Sequence, residues 1–278
     1  MVQIISLGLG VQSTALYLMS SMGQLPRADY AIFSDTGKEG VKTYAYLEFL
    51  QRWQQQHNGI PLVVCRDRNL YLDLLHKEER ARFVAIPAFT YNPDGSVGML
   101  RRQCTSEYKI QVVDNYIRDH IYKLPKGSRR PPTAIWHGIT LDEIERMSFP
   151  QEAWKVSAYP FLGYSSTKGK ETAPLPWARP MTRQQVTDWY QDQGLPVPPK
   201  SACVFCPYHS DYSWAMKKKH APEDFQEAVR IDQAIRNSAS KGIRNPVYLH
   251  RSCKPLSEVD FDQGQQEDWG ECSGNCHV

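Results

Sequence analysis

No stretch of this 278-residue chain is apolar over a membrane-spanning length, so an integral membrane role is not expected. The opening MVQIIS lacks the basic lead and small-residue cleavage site of a secretory leader, and the expected compartment is the cytoplasm. Charge of one sign is scarce too. Lys and Arg number 33 against 30 Asp and Glu, a formal net charge of +3, which permits an anionic substrate without demanding nucleic acid. No internal repeat and no clear break in composition divides the chain. What is present is ordinary for a globular protein, with 41% hydrophobic and 23% charged residues. The length suffices for one large α/β domain or two small ones. Seven cysteines in a reducing compartment point to metal or redox chemistry rather than a disulfide framework.

The first half alternates two hydrophobic periods. VQIISLGL, ADYAIFSDTG, IPLVVCRD and TAIWHGI read as strands, while STALYLMSSM, TYAYLEFLQRWQQQHN and LYLDLLHKEERARF read as helices. That alternation predicts an α/β fold with a doubly wound parallel sheet. IPAFTYNPDGSVGMLRRQC reads as a loop, followed by a helix through SEYKIQVVDNYIRDHIYKL. PKGSRRPP reads as an exposed basic linker and LDEIERM as the start of a short helix. The region from Tyr159 to Pro199 reads as irregular around the helix TRQQVTDWYQDQG, and APEDFQEAVRIDQAIRNSAS as a long helix. The expected organisation is a nucleotide-binding core over 1–147. A cysteine-bearing, mostly helical C-terminal extension over 148–278 would pack on that core.

Two motifs fall at strand ends, where ligands of such sheets gather. In ISLGLGVQSTALYL a strand stops on Gly8-Leu9-Gly10 and a helix begins near Gln12-Ser13-Thr14. Glycines permit a sharp turn and close approach, and the helix start offers N–H groups to an anion. An ordinary βα turn would use the same glycines. Asp35-Thr36-Gly37 ends the next strand. Its carboxylate could bond a ribose or hold a metal such as Mg2+ across phosphates, or could simply close an Asx-type turn.

Taken together and in order, five segments resemble the PP-loop ATP pyrophosphatase superfamily, closest to its phosphoadenylylsulfate (PAPS) reductase branch. SLGLGVQSTAL looks like that branch's phosphate loop, with Gln12 where relatives of the SGGxDS type carry aspartate. FSDTGKEGVKTYAYLEFL is similar to its DTG…TY segment, at Asp35, Thr36, Gly37, Thr43 and Tyr44. RRQCTSEYKIQVV resembles a basic cysteine segment, with Cys104 and Lys109 in matching places. HGITLDEIERM resembles a glycine–acidic–arginine segment at Gly138, Asp142, Glu143 and Arg146, and SACVFCP a downstream C-x-x-C.

The resemblance implies an adenine nucleotide alpha-hydrolase-like fold. ATP, or PAPS or adenylylsulfate, would lie on Ser6, Gly8, Gly10, Gln12, Ser13, Thr14, Asp35, Thr36, Gly37 and Gly138. Attack at the α-phosphate of ATP would release pyrophosphate. Backbone N–H groups over Leu9–Ser13, with the Ser13 and Thr14 hydroxyls, would stabilise phosphate charge. Lys109, Arg102, Arg146 and Arg101 could neutralise phosphate or sulfate, with Asp142 beside them in the catalytic set.

Cys203 and Cys206, as C-V-F-C, can grip one metal ion or one corner of a cluster. With Cys104 they resemble a partial ligand set for a 4Fe-4S cluster. Cys272 is the first choice for the fourth ligand, ahead of Cys276 and Cys253. An open position for exogenous sulfur is the other alternative, and zinc is the rival metal. Cys65 reads as a small core residue and His209 as a wall of the site.

PAPS-reducing relatives end in a glutamate–cysteine–glycine–x–histidine signature. Here Glu271-Cys272 matches its start, but Ser273 replaces the glycine and Cys276 follows. That departure favours an ATP-using enzyme that transfers sulfur to a nucleic acid or small acceptor, with a sulfur-donor protein as a further partner. A PAPS or adenylylsulfate reductase is the first alternative. A nucleotide sensor within a defence or modification complex is the second.

Overall fold

The computed structural model describes residues 1–75, 86–169, 171–237 and 244–261. Five parallel strands carry the fold: β1 (Val2–Ser6), β2 (Tyr30–Ser34), β3 (Leu62–Cys65), β6 (Thr133–Trp136) and β7 (Lys155–Tyr159). Between β3 and β6 a hairpin, β4 (Phe89–Tyr91) and β5 (Val97–Met99), joins β10 (Val247–Tyr248) in a small antiparallel sheet. Antiparallel strands β8 (Tyr164–Ser166) and β9 (Thr172–Pro174) extend the main sheet past β7. Among the described residues the main sheet has seven strands in the order β3-β2-β1-β6-β7-β8-β9. The chain runs outward from β1 through β3, then returns to the other side of β1. The switch point therefore lies between β1 and β6, where open α/β sheets bind ligands.

Strand alternation sends side chains to opposite faces. Ile5, Phe33, Ala134 and Trp136 face helices α1 (Val11–Ser21), α2 (Val41–Gln56) and α5 (Arg183–Asp192). Ile4, Ile32 and Ile135 face Val112, Val113 and Ile117 on the opposite side. This second cover is α4 (Gln111–Tyr116), flanked by π-helical turns at Ser106–Ile110 and Ile117–Ile121. The sheet, helically covered on both faces, is doubly wound. A separate apolar core joins α3 (Leu70–Leu75), α6 (Asp211–His220) and α7 (Pro222–Ile235) around Trp214, Phe225 and Phe205. Tyr108 enters the same core, so the cover helix and the cysteine loop share one foundation. Among the described residues no helix is long and apolar enough to cross a membrane.

Candidate functional site

The loop after β1 turns on Leu9, whose φ of 58° is the left-handed value, whereas Gly10 caps α1 at φ −88° and ψ 174°. A buried leucine held there is strained, and such strain collects at functional loops. The Gly8 N–H donates to Ser13 Oγ at 3.0 Å, closing the loop on itself. α1 has no side-chain cap bond and no acidic residue in its first turn. Its leading N–H groups and positive dipole end thus suit an anion. Thr14 is fully buried beside Tyr190, away from the loop.

The loop after β6 presses on this helix start. A Cβ on Gly138 would stand 2.6 Å from the Ser13 backbone nitrogen, so only glycine fits. Gln12 Nε2 donates to Glu143 Oε2 at 2.8 Å, and Arg146 pairs with Glu143 Oε1 at 2.8 Å. Asp142 stands apart from this exchange, accepting the Arg183 backbone N–H at 2.9 Å at the start of α5. Burial opposes its charge, but bonds from Thr140 and the Arg183 backbone hold its carboxyl below the usual range.

Asp35 forms the turn that its sequence allowed. Its Oδ1 accepts from the Gly37 N–H and the Tyr44 hydroxyl, each at 2.9 Å, while Arg66 Nε reaches Oδ2 at 3.2 Å. Gly37 has φ 97° and sits against Asn69. Thr36 points elsewhere. Its hydroxyl donates to Glu39 Oε1 at 3.0 Å and lies 3.0 Å from Cys203 Sγ. Glu39 and Cys203 also pair as an isolated backbone bridge, and the Val204 N–H donates to the Lys38 carbonyl at 3.1 Å. The C-x-x-C loop is thereby docked on the loop after β2.

Cys104, Cys203 and Cys206 line one narrow cavity with Thr36, Arg102 and Lys109. Burial, reinforced by Glu39, pushes the Cys203 thiol well above its ordinary value, and burial raises Cys206 and Cys104 as well. The Lys109 ammonium opposes the rise at all three. Arg102 lies 6.0 Å over the Tyr208 ring at the same cavity. Behind the cysteine loop, Lys217 donates to the Val204 carbonyl and lies 2.8 Å from His209 Nε2. Burial lowers Lys217 to about 8 and sends His209 well below its ordinary value.

A second cavity, a cleft of about 580 Å3, runs under the carboxyl ends of the parallel strands. Ser6, Leu7, Ser34 and His137 form its strand side and Lys109 part of its helical side. The size suits a nucleotide-sized ligand. Lys109 belongs to the walls of both cavities, because the π-helical turn Ser106–Ile110 carries it between Cys104 and α4. Such widened turns recur at functional sites.

Three half-buried thiols lining one cavity match the donor chemistry of a thiolate-held zinc ion or iron–sulfur cluster. Among the described residues, however, no group of three or more His, Cys, Asp and Glu stands close enough to hold a metal ion. The donors fit in kind while the closed ligand set is not formed. Cys272 lies outside the described residues. Sequence reasoning missed Glu39, Lys217 and Arg183. Only Arg183 carried a local signal, since it follows Thr182 of a capping box with Gln185. Comparison with family models, curated proteins and solved structures finds no match.

Proposed function

We propose that the chain is a PP-loop-type enzyme that binds ATP at the β1–β6 switch and activates an acceptor for sulfur transfer. The observation that carries the reading is the side-chain-uncapped start of α1, closed in by Gly138 and adjoining a cleft of about 580 Å3. The nucleoside occupies that cleft beside Ser6 and Leu7, and the phosphates lie on Gly8–Ser13, the buried Thr14 side chain taking no part. Acceptor attack at the α-phosphate breaks its bond to the bridging oxygen, and pyrophosphate leaves with the electron pair. Backbone N–H groups of α1 and the Arg146 guanidinium stabilise the departing charge. Lys109, on the walls of both cavities, holds positive charge between the nucleotide and the cysteines.

Past residue 148, β7, β8, β9 and α5 complete the main sheet and its cover. The cysteine-bearing part that follows them serves as the extension on this adenine nucleotide alpha-hydrolase-like core. Cys104, Cys203 and Cys206, with Cys272 as fourth ligand, would hold a 4Fe-4S cluster, zinc being the rival. A cluster held by the three inner cysteines alone would supply an open position for exogenous sulfur, which Cys272 as fourth ligand would close. The acceptor is a nucleic acid or small molecule, and the compartment is the cytoplasm. One purified preparation tests the reading. Pyrophosphate release from ATP supports it. Thioredoxin-dependent sulfite release from PAPS, lost on truncation before Glu271, would replace it with reduction.

A further inference from the structure

We infer that Arg183 contacts the distal phosphates of the nucleotide, forming with Arg146 a two-guanidinium clamp that Glu143 holds ready. The inference rests on the Gly8–Thr14 loop being the phosphate site and adds a recognition element for a di- or triphosphate.

Arg183 is the first residue of α5, and that helix is fixed to the phosphate loop. Tyr190 on α5 donates its hydroxyl to the Val11 carbonyl at 2.8 Å. Val186 and Trp189 share one apolar core with Leu9, Val11 and Ala15. The Thr182 capping box sets the start of α5, and Asp142 accepts the Arg183 backbone N–H at 2.9 Å. These bonds fix the Arg183 backbone relative to the first turn of α1.

Its guanidinium points at the same carboxylate as that of Arg146. Arg183 Nη1 stands 3.8 Å from Glu143 Oε1, and Arg146 Nη1 stands 2.8 Å from that same oxygen. The other oxygen, Oε2, accepts Gln12 Nε2 at 2.8 Å, and Gln12 is the second residue of α1. All three charged side chains are only 15–16% exposed. Two guanidiniums brought together out of water repel one another unless an anion lies between them. Glu143 is that anion in the resting protein. Planar guanidinium forks match phosphate oxygens as well as they match carboxylate oxygens. Ser6 and Leu7, at the β1 end of the loop, line the cleft, whereas Gln12, at the α1 end, is not among its lining residues. The clamp therefore meets the phosphates remote from the nucleoside.

Calorimetry with inorganic pyrophosphate, ATP and AMP at fixed salt tests this in wild type, Arg183→Gln and Glu143→Gln. Arg183→Gln should weaken pyrophosphate and ATP by about ten-fold or more, leaving AMP within about two-fold. Glu143→Gln, which removes the resting anion, should tighten pyrophosphate. It decides the matter even where Arg183→Gln fails to fold: unchanged or weaker pyrophosphate binding in Glu143→Gln overturns the clamp. So does an Arg183→Gln protein with unchanged pyrophosphate affinity, or with equal losses for AMP and ATP. Wild-type protein that binds both nucleotides while Arg183→Gln changes neither removes the clamp and leaves the loop reading standing. Wild-type protein that binds neither nucleotide removes both.

Discussion

The Thr36 hydroxyl lies 3.0 Å from the Cys203 sulfur, across 167 residues of sequence. That contact joins the strand-end Asp-Thr-Gly turn to the C-x-x-C loop, and Thr36 and the cysteines line one cavity. Thr36 is fully buried and its hydroxyl also serves the buried Glu39 carboxylate. Thr36→Val should cost about 1–3 kcal/mol in urea denaturation, because it removes the hydroxyl donor of a buried carboxylate and leaves that oxygen the longer Cys203 thiol contact at 3.5 Å. In a double-mutant cycle with Cys203→Ala the losses should be non-additive; strict additivity would mean the contact carries no energy.

Gly138 predicts a steric effect of similar size. Its added Cβ would meet the backbone of Ser13 at 2.6 Å, and backbone cannot step aside as a flexible side chain can. Gly138→Ala should cost about 1–3 kcal/mol and weaken nucleotide binding. At Gly169 the new methyl meets, among the described residues, only Glu171, at 3.9 Å. Gly169→Ala should stay within about 0.5 kcal/mol of wild type. Equal unfolding midpoints for the two variants would contradict the close approach.

Acid should weaken one polar tie between the last described segment and α6, whose shared apolar core remains. Asp211 accepts from His250 Nε2 at 2.9 Å and Arg251 Nη2 at 2.7 Å. Burial works against its charge, but these bonds outweigh it and hold the carboxyl below its ordinary 3.8. A depressed folded-state value means that the folded form gives up its proton more readily. The stabilisation is therefore complete above 3.8 and disappears as pH falls through the lower, folded value. Asp211→Asn should lose about 1 kcal/mol at pH ~7. Its deficit should shrink toward pH ~3, and a deficit that grows on acidification would reverse the sign of the account.

Iron and sulfide measured on anaerobically purified protein test the cysteine reading. The expected preparation is brown, and Cys203→Ala loses the colour. A colourless protein carrying stoichiometric zinc would retain the metal site and exclude the cluster.

Within the main sheet β1, β2, β3 and β6 were legible because they are apolar and alternate with helices of clear period. β7 was not read as a strand, and β8 and β9, short and largely exposed, fall in the Tyr159–Pro199 region read as irregular. The hairpin over Phe89–Met99 was not legible either, since its strands are three residues each and largely exposed. Its Asn92-Pro93-Asp94-Gly95 turn was read as loop chemistry alone. Helix α6 escaped for a related reason: Trp214 is its one fully buried side chain, so it shows almost no amphipathic period. At the candidate site, Gly8 and Gly10 marked a sharp strand-to-helix turn, yet the left-handed residue is Leu9 between them. Tertiary packing, which local propensity does not encode, holds it there. Asp35 illustrates the converse, since its turn-forming role was written in the Asp-x-Gly spacing. The meeting of Thr36 with Cys203, and of Arg183 with Glu143, depends on topology and has no local signature.

The central claim is that phosphates sit on the loop capped by Gly10, and calorimetric titration of ATP into wild type and Gly10→Val tests it most directly. Gly10 has φ −88° and ψ 174°, which valine adopts without strain, so the fold should survive the change. The account predicts ATP binding by wild type and a loss of at least about ten-fold in Gly10→Val, with the unfolding midpoint nearly unchanged. An unchanged ATP affinity in a folded Gly10→Val protein would contradict it.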